Sequence, residues 1–121
     1  MQLKELSTLE EMAAQLETIH YLYPNMSIET YSNYLNQMIP HNYKQLIVLD
    51  GEKVAGITGF WKGVKLWSGP YMEIDNFVVA PEYRKQGVGK LMTDYIDTKA
   101  KEYNVSMIVL DAYVENFAAH K

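Results

Sequence analysis

The residues with the clearest chemistry lie in the run Phe77-Val78-Val79-Ala80-Pro81-Glu82-Tyr83-Arg84-Lys85-Gln86-Gly87-Val88-Gly89-Lys90. An apolar, β-branched stretch gives way to a loop with two glycines and then to a helical pattern. The first N–H groups of a helix have no intrahelical partner and carry the positive end of its dipole. Glycine lets an anion come close to the backbone. Arg84, Lys85 and Lys90 add cations around the loop. The combination predicts a main-chain cradle for an anion such as a phosphate. It is not a P-loop, because Gly89-Lys90 is followed by Leu91 and the upstream glycine is missing. It is not a dinucleotide fingerprint either, since Gly87-Val88-Gly89 continues into Lys90-Leu91-Met92 and lies late in the chain. A kinase glycine loop needs a long catalytic region downstream.

The elements that must hold this loop follow from periodicity. Residues 2–6 read as an edge strand. Residues 9–23 carry apolar side chains at a helical spacing, with Ser7 or Thr8 as cap, and Pro24 ends them. Ser27 caps a second helix over 28–38. Strands are expected at 45–49 and 53–61, joined through the turn dipeptide Asp50-Gly51, and at 71–79, closed by Ala80-Pro81. A helix over 88–103 follows. The unbroken apolar run 105–110 suits a strand buried on both faces, and residues 115–121 begin another helical pattern. The expected class is α/β, a mixed sheet in the order β-α-α-β-β-β-α-β-(α) with at least one parallel pair, as a single domain over 1–121.

The spacing Arg84…Gly87…Gly89 fits the pattern [Arg/Gln]-x-x-Gly-x-[Gly/Ala], and here the sequence resembles the GNAT superfamily of acetyl-CoA-dependent N-acetyltransferases. The strand Ile74–Val79, the wording Ala80-Pro81-Glu82-Tyr83-Arg84, and the runs Val109-Leu110-Asp111-Ala112 and Asn116-Phe117-Ala118-Ala119 look like the family's fourth strand, its loop, its fifth strand and the start of its last helix. The resemblance implies that residues 84–90 (Arg84, Lys85, Gln86, Gly87, Val88, Gly89 and Lys90) bind the pyrophosphate of acetyl-CoA. It implies that Phe77, Val78 and Val79 offer main-chain groups to the pantetheine arm, with an N–H near Val79 as oxyanion donor. Acetyl transfer would proceed by direct attack of a primary amine, small-molecule or peptide, on the thioester. Glu73, eleven residues before Arg84, is the candidate general base; Asp75, on the same strand face, is the second candidate. Glu73 is otherwise a solvent-facing strand carboxylate. Asn116 matches a position that contacts the cofactor arm, or else caps a helix. Tyr21, Tyr23, Tyr31, Tyr34, Trp61 and Trp67 are candidates for an acceptor pocket, or for the core.

The chain also departs from the family. A mid-helix tyrosine that protonates the departing thiolate, and the usual last strand pair, would fall beyond Lys121. Either the chain is shortened, or it pairs as a homodimer through the open edge of 105–110, or it binds acyl-CoA without catalysis, the alternative to an active enzyme. With no cysteine there is no disulfide, zinc–thiolate site or cysteine nucleophile, and His20, His41 and His120 have no metal-ligand spacing. A net charge of −4 argues against nucleic acid. No apolar run approaches a membrane span, and no signal core opens the chain, so a cytoplasmic location is expected.

Overall fold

The structure is a computed structural model and describes residues 1–110. Five strands form one mixed sheet in chain order: β1 (Gln2–Leu6), β2 (Tyr43–Asp50), β3 (Lys53–Lys65), β4 (Gly69–Val79) and β5 (Met107–Leu110). The first four are antiparallel neighbours, and β5 runs parallel to β4. The parallel step requires a crossover, which helix α4 (Val88–Glu102) provides.

Helices cover both faces. Met92, Ile96 and Ala100 of α4 pack on Leu46, Val48, Phe60, Met72 and Ile74. On the opposite face, α1 (Leu9–Ala13), α2 (Leu16–Ile19) and α3 (Ile28–Met38) bury Met12, Ile19, Tyr31 and Leu35 against Tyr43, Ile47, Ile57 and Val78. Thr8 caps α1 in a reciprocal box with Glu11, and the Ser27 hydroxyl accepts from the Thr30 N–H to start α3.

The element order is the one the sequence predicts, with three differences of extent. The expected helix over 9–23 is two short helices. At the break Gln15 Nε2 donates to the Glu11 carbonyl, and the Gln15 N–H turns instead to Met12 O, tightening the turn to i→i−3 bonding. The β3–β4 hairpin is longer than expected and carries Val64, Leu66 and Trp67 exposed at its tip. The run 105–110, expected to be buried on both faces, is half-buried at Met107–Val109 and exposed at Leu110, because its only described strand neighbour is β4.

β4 carries a bulge that changes which residues share a face. Asp75 pairs with Gly59 and Val78 with Ile57, so Asn76 and Phe77 together oppose Thr58. Asn76 is left-handed, φ 55°. Before the bulge Met72 and Ile74 face α4; after it Phe77 and Val79 do, while Val78 faces α1–α3. One inserted residue has reset the alternation of the strand.

Candidate active site

Strand alternation places Glu73 and Asp75 on the α1–α3 face, opposite to Met72 and Ile74. Across the sheet, Tyr43, Trp61, Glu73 and Val109 lie in one register row, and Gln45, Gly59 and Asp75 in the next. The Tyr43 and Trp61 rings meet with centroids 4.8 Å apart and tilted by 53°. The Trp61 indole donates to Asp75 Oδ2 at 3.0 Å. Gly59 makes this corner possible: a Cβ there would lie 2.3 Å from the Tyr43 hydroxyl oxygen, so only glycine lets that ring cross β3.

Behind the carboxylates runs a chain of hydrogen bonds. Gln45 Nε2 donates to the hydroxyls of Tyr31 and Tyr43, at 2.9 and 3.1 Å. The Tyr43 hydroxyl donates to Asn76 Oδ1 at 2.8 Å, and Asn76 Nδ2 donates to the Tyr23 hydroxyl at 3.0 Å. Burial pushes the Tyr31 phenol up to about 12 and raises that of Tyr43 further, so both stay neutral at ordinary pH. Of the aromatic residues proposed from sequence, Tyr23, Tyr31 and Trp61 belong to this corner. Tyr21, Tyr34 and Trp67 are exposed and are not joined to it by any described hydrogen bond. Sequence reasoning missed Tyr43, Gln45 and Asn76. The available signal was Asn76 itself, a residue depleted from strands and tolerant of left-handed backbone.

β4 leads straight from this corner to the glycine loop. After Val79 the Ala80 N–H bonds Ala55 O, and Pro81–Tyr83 form one 3-10 turn. Lys85 and Gly87 are both left-handed, φ 65° and 83°. Gly87 stands as N-cap of α4 without any side-chain cap, and Leu91 N–H is the first to reach back, to Gly87 O. The N–H groups of Val88, Gly89 and Lys90 are therefore the helix's orphan donors. A Cβ at Gly87 would meet nothing within 4 Å, so the approach is open. Gly89 sits instead against Phe77 and Val79, 3.6 and 3.9 Å from where its Cβ would be. Arg84, Lys85, Gln86 and Lys90 are exposed. Lys90 also ion-pairs with Asp94 at 2.8 Å, a contact that raises its pKa. These features fit an anion held by main-chain donors, as a pyrophosphate requires.

Asn116 lies outside the described residues. His20 Nε2 is bonded to Met26 O at 2.8 Å, a structural role. Among the described residues no three His, Asp or Glu side chains come together as a metal site, and no helix is long and apolar enough to cross a membrane.

Solved structures share this architecture. A GNAT family acetyltransferase of Staphylococcus aureus is 23% identical with a TM-score of 0.74, over 92% of this chain and 87% of that one. An aminoglycoside acetyltransferase from an uncultured soil metagenomic sample, in complex with sisomicin, is 19% identical with a TM-score of 0.75, over 98% of this chain and 85% of that one. A predicted acetyltransferase of Clostridium acetobutylicum with acetyl-CoA is 15% identical with a TM-score of 0.73, over 91% and 79%. These likenesses establish the fold. No curated protein sequence matches the chain. The model of the acetyltransferase (GNAT) family matches residues 8–121, nearly the whole length, and the chain belongs to that family.

Proposed function

We propose that this chain transfers an acetyl group from acetyl-CoA to a primary amine by direct attack on the thioester. The observation that carries the reading is the continuity of β4. One strand presents Glu73 and Asp75 at its middle, a bulge at Asn76, and a cradle of unpaired N–H groups just past its end.

The Val88–Lys90 N–H groups would hold the pyrophosphate, with Arg84 and Lys85 as exposed cations beside it. Phe77–Val79 would pair main-chain groups with the pantetheine arm in the manner of an added strand. An N–H of this segment near Val79 would stabilise the oxyanion that forms on the thioester carbonyl. Glu73 would take the proton from the attacking amine, directly or through one water. The carbon–sulfur bond then breaks, and the thiolate takes up one proton. Asp75, which accepts the Trp61 indole N–H, orients that ring and adds negative charge on the acceptor side. Two carboxylates and a row of aromatic faces suit a cationic amine.

The test is release of free thiol from acetyl-CoA in the presence of a panel of amines: aminoglycosides, polyamines and peptides with free N-termini. Amine-dependent release with an acetylated product is expected. Tight acetyl-CoA binding with no acceptor-dependent release would instead establish a binding domain without catalysis.

A further inference from the structure

We propose that Tyr43 and Tyr23 are positioning residues for acetyl transfer, acting through Asn76 to hold the β4 bulge in the shape that aims the Phe77–Val79 main chain; the inference rests on the preceding reading that acetyl-CoA lies along β4.

Asn76 occupies a left-handed backbone conformation in the middle of a strand, φ 55°. A residue with a Cβ leaves that region unless its surroundings hold it there. Its side chain is gripped at both ends, the oxygen by the Tyr43 hydroxyl at 2.8 Å and the nitrogen by the Tyr23 hydroxyl at 3.0 Å. Gln45 Nε2 donates to the Tyr43 oxygen and the single Tyr43 proton goes to Asn76 Oδ1, while Gln45 Oε1 is buried with no hydrogen-bond partner among the described residues. The Asn76 amide is thereby oriented, oxygen toward Tyr43 and nitrogen toward Tyr23. Gln45 is fully buried and Tyr43 is 2% exposed, so water does not compete for these bonds.

The rest of the bulge is held as well. The single Thr58 Oγ1 proton is shared between the Gly59 carbonyl at 3.1 Å and the Asp75 carbonyl at 3.3 Å, and the Trp61 indole binds the Asp75 side chain. Contacts to Asp75 on one side and to the Asn76 amide on the other restrain the peptide linking Asn76 to Phe77. That peptide is the one the bulge takes out of the ladder with β3. Glycine adopts this backbone without a partner, so a bulge that only had to exist would not need the three-residue relay Gln45–Tyr43–Asn76. The relay supplies rigidity, which matters where an N–H must meet a developing oxyanion.

The test uses Tyr43→Phe, which keeps the ring and removes the hydroxyl, Asn76→Gly, which keeps the backbone and removes the amide, and the double variant. Each single variant is expected to lower kcat by about tenfold or more, with KM for acetyl-CoA moved by less than about twofold, as for a misaimed donor. The double is expected to be no worse than the worse single, because both cut one relay. Calorimetry gives a second readout: the preference for acetyl-CoA over CoA should shrink in both variants, since only acetyl-CoA has the carbonyl. If the melting temperature falls while kcat and that preference stay at wild-type values, the relay is merely structural and the proposal is overturned. If Tyr43→Phe fails to fold, Asn76→Gly decides. If the unaltered protein acetylates no amine, the proposed activity fails, and the acetyl-CoA to CoA preference still decides the relay.

Discussion

Trp61 reaches past its own register partner: it sits directly opposite Glu73 on β4, yet its indole N–H goes to Asp75, two positions on, at 3.0 Å. The two carboxylates share a face but have different neighbours. Asp75 is tied to the indole and faces Gly59, whereas Glu73 lies between Trp61 and Val109 in the row beside β5.

On the proposed reading Glu73 is the base and Asp75 holds the indole. Glu73→Gln is expected to lower kcat by about 10²–10⁴-fold and to change the pH–rate profile, with acetyl-CoA affinity unchanged by calorimetry. Asp75→Asn retains an acceptor oxygen for the indole and should cost far less. The reverse ranking would transfer the role to Asp75.

The two loop glycines should respond differently. A methyl at Gly87 enters the open approach to the α4 N-terminus and strains a backbone at φ 83°, so Gly87→Ala is expected to weaken acetyl-CoA binding by about tenfold or more. A methyl at Gly89 meets Phe77 and Val79 at ordinary contact distance, so Gly89→Ala should bind nearly as well as the unaltered protein. Equal losses at both would mean that packing, not access, governs the loop.

Acetyl-CoA affinity should fall as salt rises, since Arg84, Lys85 and Lys90 are exposed and screening acts over about 8–10 Å at physiological ionic strength. Lys90 divides its charge with Asp94. Asp94→Asn is therefore expected to tighten binding at low salt and steepen the salt dependence. An affinity indifferent to salt in both proteins removes the cations from the recognition.

The buried phenols predict how the fold fails in base. Burial raises the Tyr31 pKa from 10 to about 12 and raises Tyr43 as well, so each is more readily ionised in the unfolded chain. Their stabilisation is complete below pH 10 and is lost as pH rises toward the folded values. Above pH 10 each costs up to about 1.4 kcal/mol per pH unit until its folded pKa is reached. Denaturant midpoints measured from pH 8 to 11.5 should fall above pH 10, and Tyr31→Phe should make the fall shallower. A flat profile would show that these hydroxyls ionise equally well in the fold.

What was legible in the sequence is what depends on near neighbours. The Arg84…Gly87…Gly89 spacing and the apolar period after Val88 announce a helix start, and the structure builds that start. The alternation around Asn76 misleads, because reading Ile74–Val79 as an unbroken strand puts Phe77 and Val79 on the wrong face. The hydrogen bonds that hold the bulge join residues 33 and 53 positions apart, and no local pattern encodes them. Trp61 and Tyr23 were visible as aromatic residues, but whether they served core or site was decided only by register.

Gly59 has a mechanical consequence. Because it has no side chain, the Tyr43 ring spans the middle strand and its hydroxyl fastens β2 to β4, which are second neighbours in the sheet. Backbone ladders resist strands being pulled apart but yield more easily to sliding lengthwise. A strut laid across three strands opposes that sliding. β2, β3 and β4 are thus cross-tied at this point in addition to their backbone ladders.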